Sequence, residues 1–138
     1  MTHSWVESGF CIGFRTKRGI VLDLDNMTVK KATWIAETLL KEHRLEGYLL
    51  VRSSEKSYHV VFKRYLSWRT ITKILFSLYE CIRYAVFQMK DGFLTLRISR
   101  KNGKDKPKIL LKRGEQDKLI KDYLEACEIA EKFEAEML

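Results

Sequence analysis

Gly19-Ile20-Val21-Leu22-Asp23-Leu24-Asp25 is the stretch on which the reading of this chain turns. A β-branched and apolar run closing on two carboxylates predicts a strand. Side chains alternate along a strand, so Ile20, Leu22 and Leu24 share one face while Asp23 and Asp25 share the other. Two carboxylates about 7 Å apart on one strand face suit a hard divalent cation, Mg²⁺ or Mn²⁺, with phosphate oxygens as further ligands. The same residues also fit an apolar strand running into an acidic turn. The rest of the chain has to decide.

On the N-terminal side, residues 9–15 alternate, with Phe10, Ile12 and Phe14 on one face, and Thr16-Lys17-Arg18-Gly19 predicts a hairpin turn into the aspartate strand. On the C-terminal side, Asn26 or Thr28 can cap a helix in which Val29, Ala32, Ile35, Ala36 and Leu39 recur at helical spacing, ending by Gly47. Residues 47–52 and 58–62 predict two strands around a polar turn at 53–56. A second helix begins near Ser67, with Ile71, Ile74, Leu75, Leu78 and Ile82 as its buried stripe. Residues 84–89 and 93–100 flank Lys90-Asp91-Gly92 and predict a tight hairpin. Residues 108–112 predict a closing strand, and residues 114–138 a helix with Leu119, Tyr123, Ala130, Phe133 and Met137 in line.

The expected fold class is α+β in a single domain of residues 1–138. Residues 19–100 supply a βαββαβ core of the ferredoxin-like or RNA-recognition-motif (RRM) type, with extra strands and the C-terminal helix added. That topology is mainly antiparallel, places its helices on one face of the sheet and leaves the other open.

Composition narrows the partners. At 138 residues, 46% hydrophobic and 32% charged, the chain can bury a core without disulfides or metal. Its 26 Lys and Arg against 18 Asp and Glu give a charge of +8, which favours a polyanion such as nucleic acid or nucleotide phosphate. Cys11, Cys81 and Cys127 are widely separated and lack the Cys-x-x-Cys spacing, which fits a reduced, cytoplasmic chain. No apolar run reaches membrane-spanning length, so no membrane partner is expected.

Strand alternation then assigns the open face. With Ile20, Leu22 and Leu24 toward the helices, Asp23, Asp25, Ser57, His59, Thr95 and Arg97 gather on the opposite side. The set suits a metal-bound triphosphate: Asp23 and Asp25 hold metal, Arg97 and His59 take phosphate oxygens, and Ser57 donates a hydrogen bond. Arg52, Lys63, Arg64 and Lys101 are candidates for nucleic-acid phosphate contacts.

Ile20-Val21-Leu22-Asp23-Leu24-Asp25, followed by Ser57-Tyr58-His59-Val60-Val61-Phe62, resembles the archaeo-eukaryotic primase superfamily over residues 19–100. That family carries an hhhDhD strand and an S-x-H strand on an RRM-like sheet. The resemblance implies a nucleotidyltransferase of DNA replication or repair. In it Asp23 and Asp25 are catalytic metal ligands, and His59, a third catalytic residue, binds the incoming nucleoside triphosphate. The family's third motif is an acidic residue on a later strand, and Phe93-Leu94-Thr95-Leu96-Arg97-Ile98-Ser99 has none. The expectation is therefore metal-dependent nucleotide binding with weak or absent nucleotidyl transfer, and DNA ahead of RNA as partner.

Other readings compete. Asp23-Leu24-Asp25-Asn26 also resembles the opening of haloacid-dehalogenase-like phosphatases, but Thr28 falls one place late and the strands come in hairpins. A rolling-circle endonuclease needs a His-x-His pair, which His3, His43 and His59 do not make. A non-catalytic single-stranded nucleic-acid binder would use exposed aromatics, where the inferred face offers carboxylates. A replication-complex subunit or homodimer would use the apolar stripe of the C-terminal helix as its interface.

Overall fold

The computed structural model describes residues 12–99, 107–115 and 117–137. It is an α+β chain with two antiparallel sheets. Strands β2 (Val21–Leu24), β3 (Tyr48–Ser54), β4 (Ser57–Phe62) and β6 (Lys108–Arg113) form one sheet in the order β2-β4-β3-β6. Strands β1 (Gly13–Thr16) and β5 (Leu94–Arg97) form a separate two-stranded ribbon. The helices are α1 (Val29–Glu42), α2 (Trp68–Leu75), α3 (Tyr79–Met89) and α4 (Lys118–Met137). Among the described residues no helix is long and apolar enough to cross a membrane.

Local chemistry accounts for most boundaries. Thr28 caps α1, its hydroxyl accepting from the Lys31 N–H at 3.2 Å. Asn26, the other candidate cap, instead takes a left-handed backbone at φ 55°. The helix buries Ala32, Ile35, Ala36 and Leu39 at the expected spacing. Ser67 caps α2 in the same way through the Thr70 N–H. Between β3 and β4 the turn shortens to Glu55-Lys56, with Lys56 left-handed at φ 60°.

Three expected elements differ. Residues 84–89 are the second half of α3, not a strand, so there is no hairpin at Lys90-Asp91-Gly92. Tyr84-Ala85-Val86-Phe87 is a short apolar run that fits either period. The helix is set by Cys81 and Ala85, buried four residues apart, while Val86 and Phe87 point outward. The single helix expected from Ser67 breaks at Phe76–Leu78 into α2 and α3, with Leu78 extended ahead of α3. The turn at 16–19 does not close a hairpin either: β1 pairs with β5, Gly13 opposite Arg97, and β2 pairs with β4.

The expected open face is also corrected. Tyr48 to Val51 of β3 and Tyr58 to Phe62 of β4 are buried without alternation, and neighbours along a strand face opposite sides. Both faces of the central strands are therefore covered, and α1 and α4 both pack against β4. On α1, Glu37 lies beside the Tyr48 hydroxyl, whose pKa is raised by burial and then by that carboxylate. On α4, Tyr123 meets Phe14 edge-on at 5.6 Å between ring centroids. Leu119 sits so tightly over Gly19 that a Cβ there would come within 2.5 Å of its Cδ2. The apolar stripe that a homodimer would use is thus buried inside the chain through Leu119, Ile120, Tyr123, Ala126 and Ala130.

Candidate functional site

Asp23 and His59 are direct cross-strand partners, one at the third position of β2 and the other at the third position of β4. Directly opposed residues share a face, so the alternation correctly put the two side chains together. Val51 of β3 flanks His59 on its other side. The His59 Nε2 lies 3.8 Å from Asp23 Oδ1. His59 is only 2% exposed, and burial, reinforced by the Arg97 charge, pushes its pKa down to about 3. The ring is neutral at pH 7. At that distance the pair is neither a hydrogen bond nor an ion pair.

His59 Nδ1 is buried and has no hydrogen-bond partner among the described residues. Leaving a buried polar nitrogen unmet costs about 1–3 kcal/mol, and native structures hold few such atoms. A site that receives a ligand is one reason for a fold to keep one.

Arg97, expected on an open sheet face with His59, lies in the separate β1–β5 ribbon, close enough for its charge to act on the imidazole, and its guanidinium is engaged. Nη2 donates to the Ser53 carbonyl at the end of β3, 2.6 Å away, and Nη1 donates to the Ser99 carbonyl. Ser99 in turn accepts the Ile12 N–H on its hydroxyl at 2.7 Å. Arg97 therefore ties the β1–β5 ribbon to the main sheet, and its positive charge acts on the imidazole. Ser57 opens β4 half-buried, two residues from His59 and on its face. Asp25 lies just beyond the last residue of β2 and is exposed, where the sequence placed it within the strand. The chain is pinned there by the Met27 N–H donating to the Lys56 carbonyl at 3.1 Å.

The expected basic contacts do not converge on this site. Arg52 stands opposite Tyr58, with its guanidinium 5.8 Å from that ring, and so lies on the face away from His59. Lys63 and Arg64 follow the far end of β4. Lys63 Nζ bonds Glu46 at 3.0 Å, and the Arg64 guanidinium lies 3.8 Å from the same carboxylate. Lys101 lies outside the described residues. The sequence reading also missed two neighbours. Tyr84 of α3 donates its hydroxyl to the Val21 carbonyl at 2.8 Å; burial, then the Asp23 charge, raises its pKa. Tyr123 of α4 is close enough to feel the Arg97 charge. Reading residues 81–85 as helical would have brought Tyr84 to β2.

Among the described residues no three His, Cys, Asp or Glu side chains gather into a metal-holding group. Two carboxylates with one member exposed do not form a closed protein cage. Mg²⁺ or Mn²⁺ that arrives with phosphate and water oxygens takes only one or two carboxylates from a protein. No family model, curated protein or solved structure matches the chain.

Proposed function

We propose that this chain is a primase-like protein that binds a nucleoside triphosphate with Mg²⁺ or Mn²⁺ at Asp23, Asp25, Ser57 and His59, and that it works on nucleic acid. The observation that carries the reading is the direct pairing of Asp23 with His59 across β2 and β4, with the His59 Nδ1 buried and unpartnered among the described residues. The packing of β5 alongside β2 supports a ferredoxin-like core in the order β5-β2-β4-β3, although a paired register joins β5 only to β1.

Asp23 and Asp25 would hold the ion, which supplies charge neutralisation of the phosphates when bound. Ser57 donates its hydroxyl to a phosphate oxygen. His59, kept neutral by burial and by Arg97, can donate an N–H to a phosphate without setting a second positive charge against the cation. Arg97, anchored on two carbonyls, positions and polarises rather than clamping substrate. The segment Phe93–Ser99 supplies no third carboxylate, so the reading stops at binding and assigns no nucleotidyl transfer to this chain.

Calorimetry of a nucleoside triphosphate with Mg²⁺, and again with chelator, tests it. Chelation and Asp23→Asn should each weaken binding by at least about tenfold, about 1.4 kcal/mol. His59→Leu should weaken nucleotide binding more than metal binding. Equal affinity with and without metal, or unchanged affinity in Asp23→Asn, would make the aspartates structural.

A further inference from the structure

The aromatic platform that a single-strand binder needs, absent from the aspartate strand, stands on α3. That helix buries Cys81 and Ala85 and turns the opposite side outward. Tyr79 is 85% exposed and Phe87 is 68% exposed, large rings held in water on the same helix. Positions 79, 83, 87 and 90 recur at helical spacing and so form one line down the helix. The two rings are eight residues apart, about 12 Å along the axis. Arg83, also exposed, lies midway between them. Lys90 Nζ sits 4.9 Å from the Phe87 centroid, so the second ring already has a cation beside it.

Charge favours a polyanion here. Glu80, the acidic residue of the first turn of α3, is held by Lys31 of α1 at 2.8 Å. The adjoining α2 adds exposed Arg69 and Lys73, and the whole chain carries +8. Rings interleaved with a guanidinium and an ammonium suit bases and phosphates better than an aliphatic protein surface. Paired bases hide their flat faces, whereas unpaired ones stack on exposed rings, with phosphates met by the basic groups between.

We infer that the outer face of α3, through Tyr79, Arg83, Phe87 and Lys90, binds single-stranded nucleic acid. This surface is distinct from the Asp23–His59 site and needs neither metal nor nucleotide. The two readings therefore fail separately.

The experiment is fluorescence anisotropy of labelled oligothymidylate, oligouridylate and a DNA duplex, in chelator at low salt. Base–aromatic stacking contributes about 1–3 kcal/mol per base, so Tyr79→Ala and Phe87→Ala should each weaken single-strand binding by about fivefold or more. Tyr79→Phe should retain most of the affinity, and duplex binding should change little in any ring variant. Arg83→Ala should weaken all three and lower the salt slope on single strands by about 0.7. The exposed rings can be removed without loss of fold, checked by an unchanged melting temperature. Asp23→Asn should bind the strands like the wild type. The inference is overturned if Tyr79→Ala/Phe87→Ala binds single strands normally, if it loses duplex binding equally, or if polyglutamate displaces the strands as well as unlabelled oligothymidylate does. Relative affinity for the thymidylate and uridylate oligomers assigns DNA or RNA.

Discussion

β4 and β6 lie on opposite sides of one strand, both antiparallel to β3, yet they live in different environments. β4, Ser-Tyr-His-Val-Val-Phe, is buried from Tyr58 through Phe62, its histidine included. β6, Lys-Ile-Leu-Leu-Lys-Arg, has three consecutive aliphatics and is exposed at every residue. Helices α1 and α4 pack on β4 and do not reach far enough to bury the sheet edge. The edge is blunted in other ways. The register slips opposite Leu50 and Val51, leaving Leu110 as an extra residue, and Lys108 and Lys112 flank the apolar middle. Bulges and lysines are the usual protection of an exposed edge against pairing with another chain. The difference teaches that place in the layers, rather than the hydrophobicity of a strand, decides what its side chains are asked to do.

The strongest way to break this comparison is to truncate each strand. Phe62→Ala in β4 should lower stability by about 3–5 kcal/mol in urea denaturation, since it leaves a cavity in a fully packed core. A small loss would mean that β4 is not covered on both sides.

The next effect is pH dependence. His59 titrates near 3 in the folded chain against an ordinary value of 6.5. Between those values the unfolded chain binds the extra proton, so this contribution to stability is intact above pH 6.5 and is lost as pH falls toward 3. About 3 kcal/mol should disappear between pH 6.5 and 4, and His59→Leu should flatten that part of the profile. Because Nδ1 has no partner among the described residues, the same substitution should be close to neutral in stability at pH 7 while impairing nucleotide binding. A large loss at pH 7 would show that the imidazole has a structural partner.

Arg97→Met comes third. It removes the donor to the buried Ser53 carbonyl and should cost about 1–3 kcal/mol in the same denaturation assay. The imidazole pKa, followed by NMR, should rise only part of the way toward 6.5, because desolvation is the larger cause of its depression. The smallest effect belongs to β6. Leu110→Ser should change stability by no more than about 0.5 kcal/mol. A larger loss would mean that the edge strand is covered by something beyond the described residues.

Much of the architecture was legible because it rests on local chemistry. Alternation in β2 and β4 put Asp23 and His59 on one face, and the strands pair so that they are direct partners. Helical spacing marked Ala32, Ile35 and Leu39, and the hydroxyls of Thr28 and Ser67 marked where α1 and α2 begin. These signals depend on neighbours within a few residues, and the sequence carries them in full.

Other features were settled only by tertiary packing. Tyr84 to Phe87 fits a strand or a helix equally well by pattern, and the choice falls to Cys81 and Ala85, which need a core to bury in, and to Tyr84, whose hydroxyl meets β2. Pairing of β1 with β5 rather than with its neighbour β2 joins segments about eighty residues apart, which no short-range signal encodes. The burial of β4 on both faces followed from where α1 and α4 pack: their apolar stripes were plain in the sequence, but their targets were not. Strands β2 and β4, the start of α2 at Ser67 and the side on which the aspartate and histidine meet were readable from the sequence, because those obey the periodicity of a single strand or helix. Only the tertiary packing decided that the histidine would be buried, neutral and without a partner at Nδ1 among the described residues, because burial and desolvation depend on which distant elements pack around it.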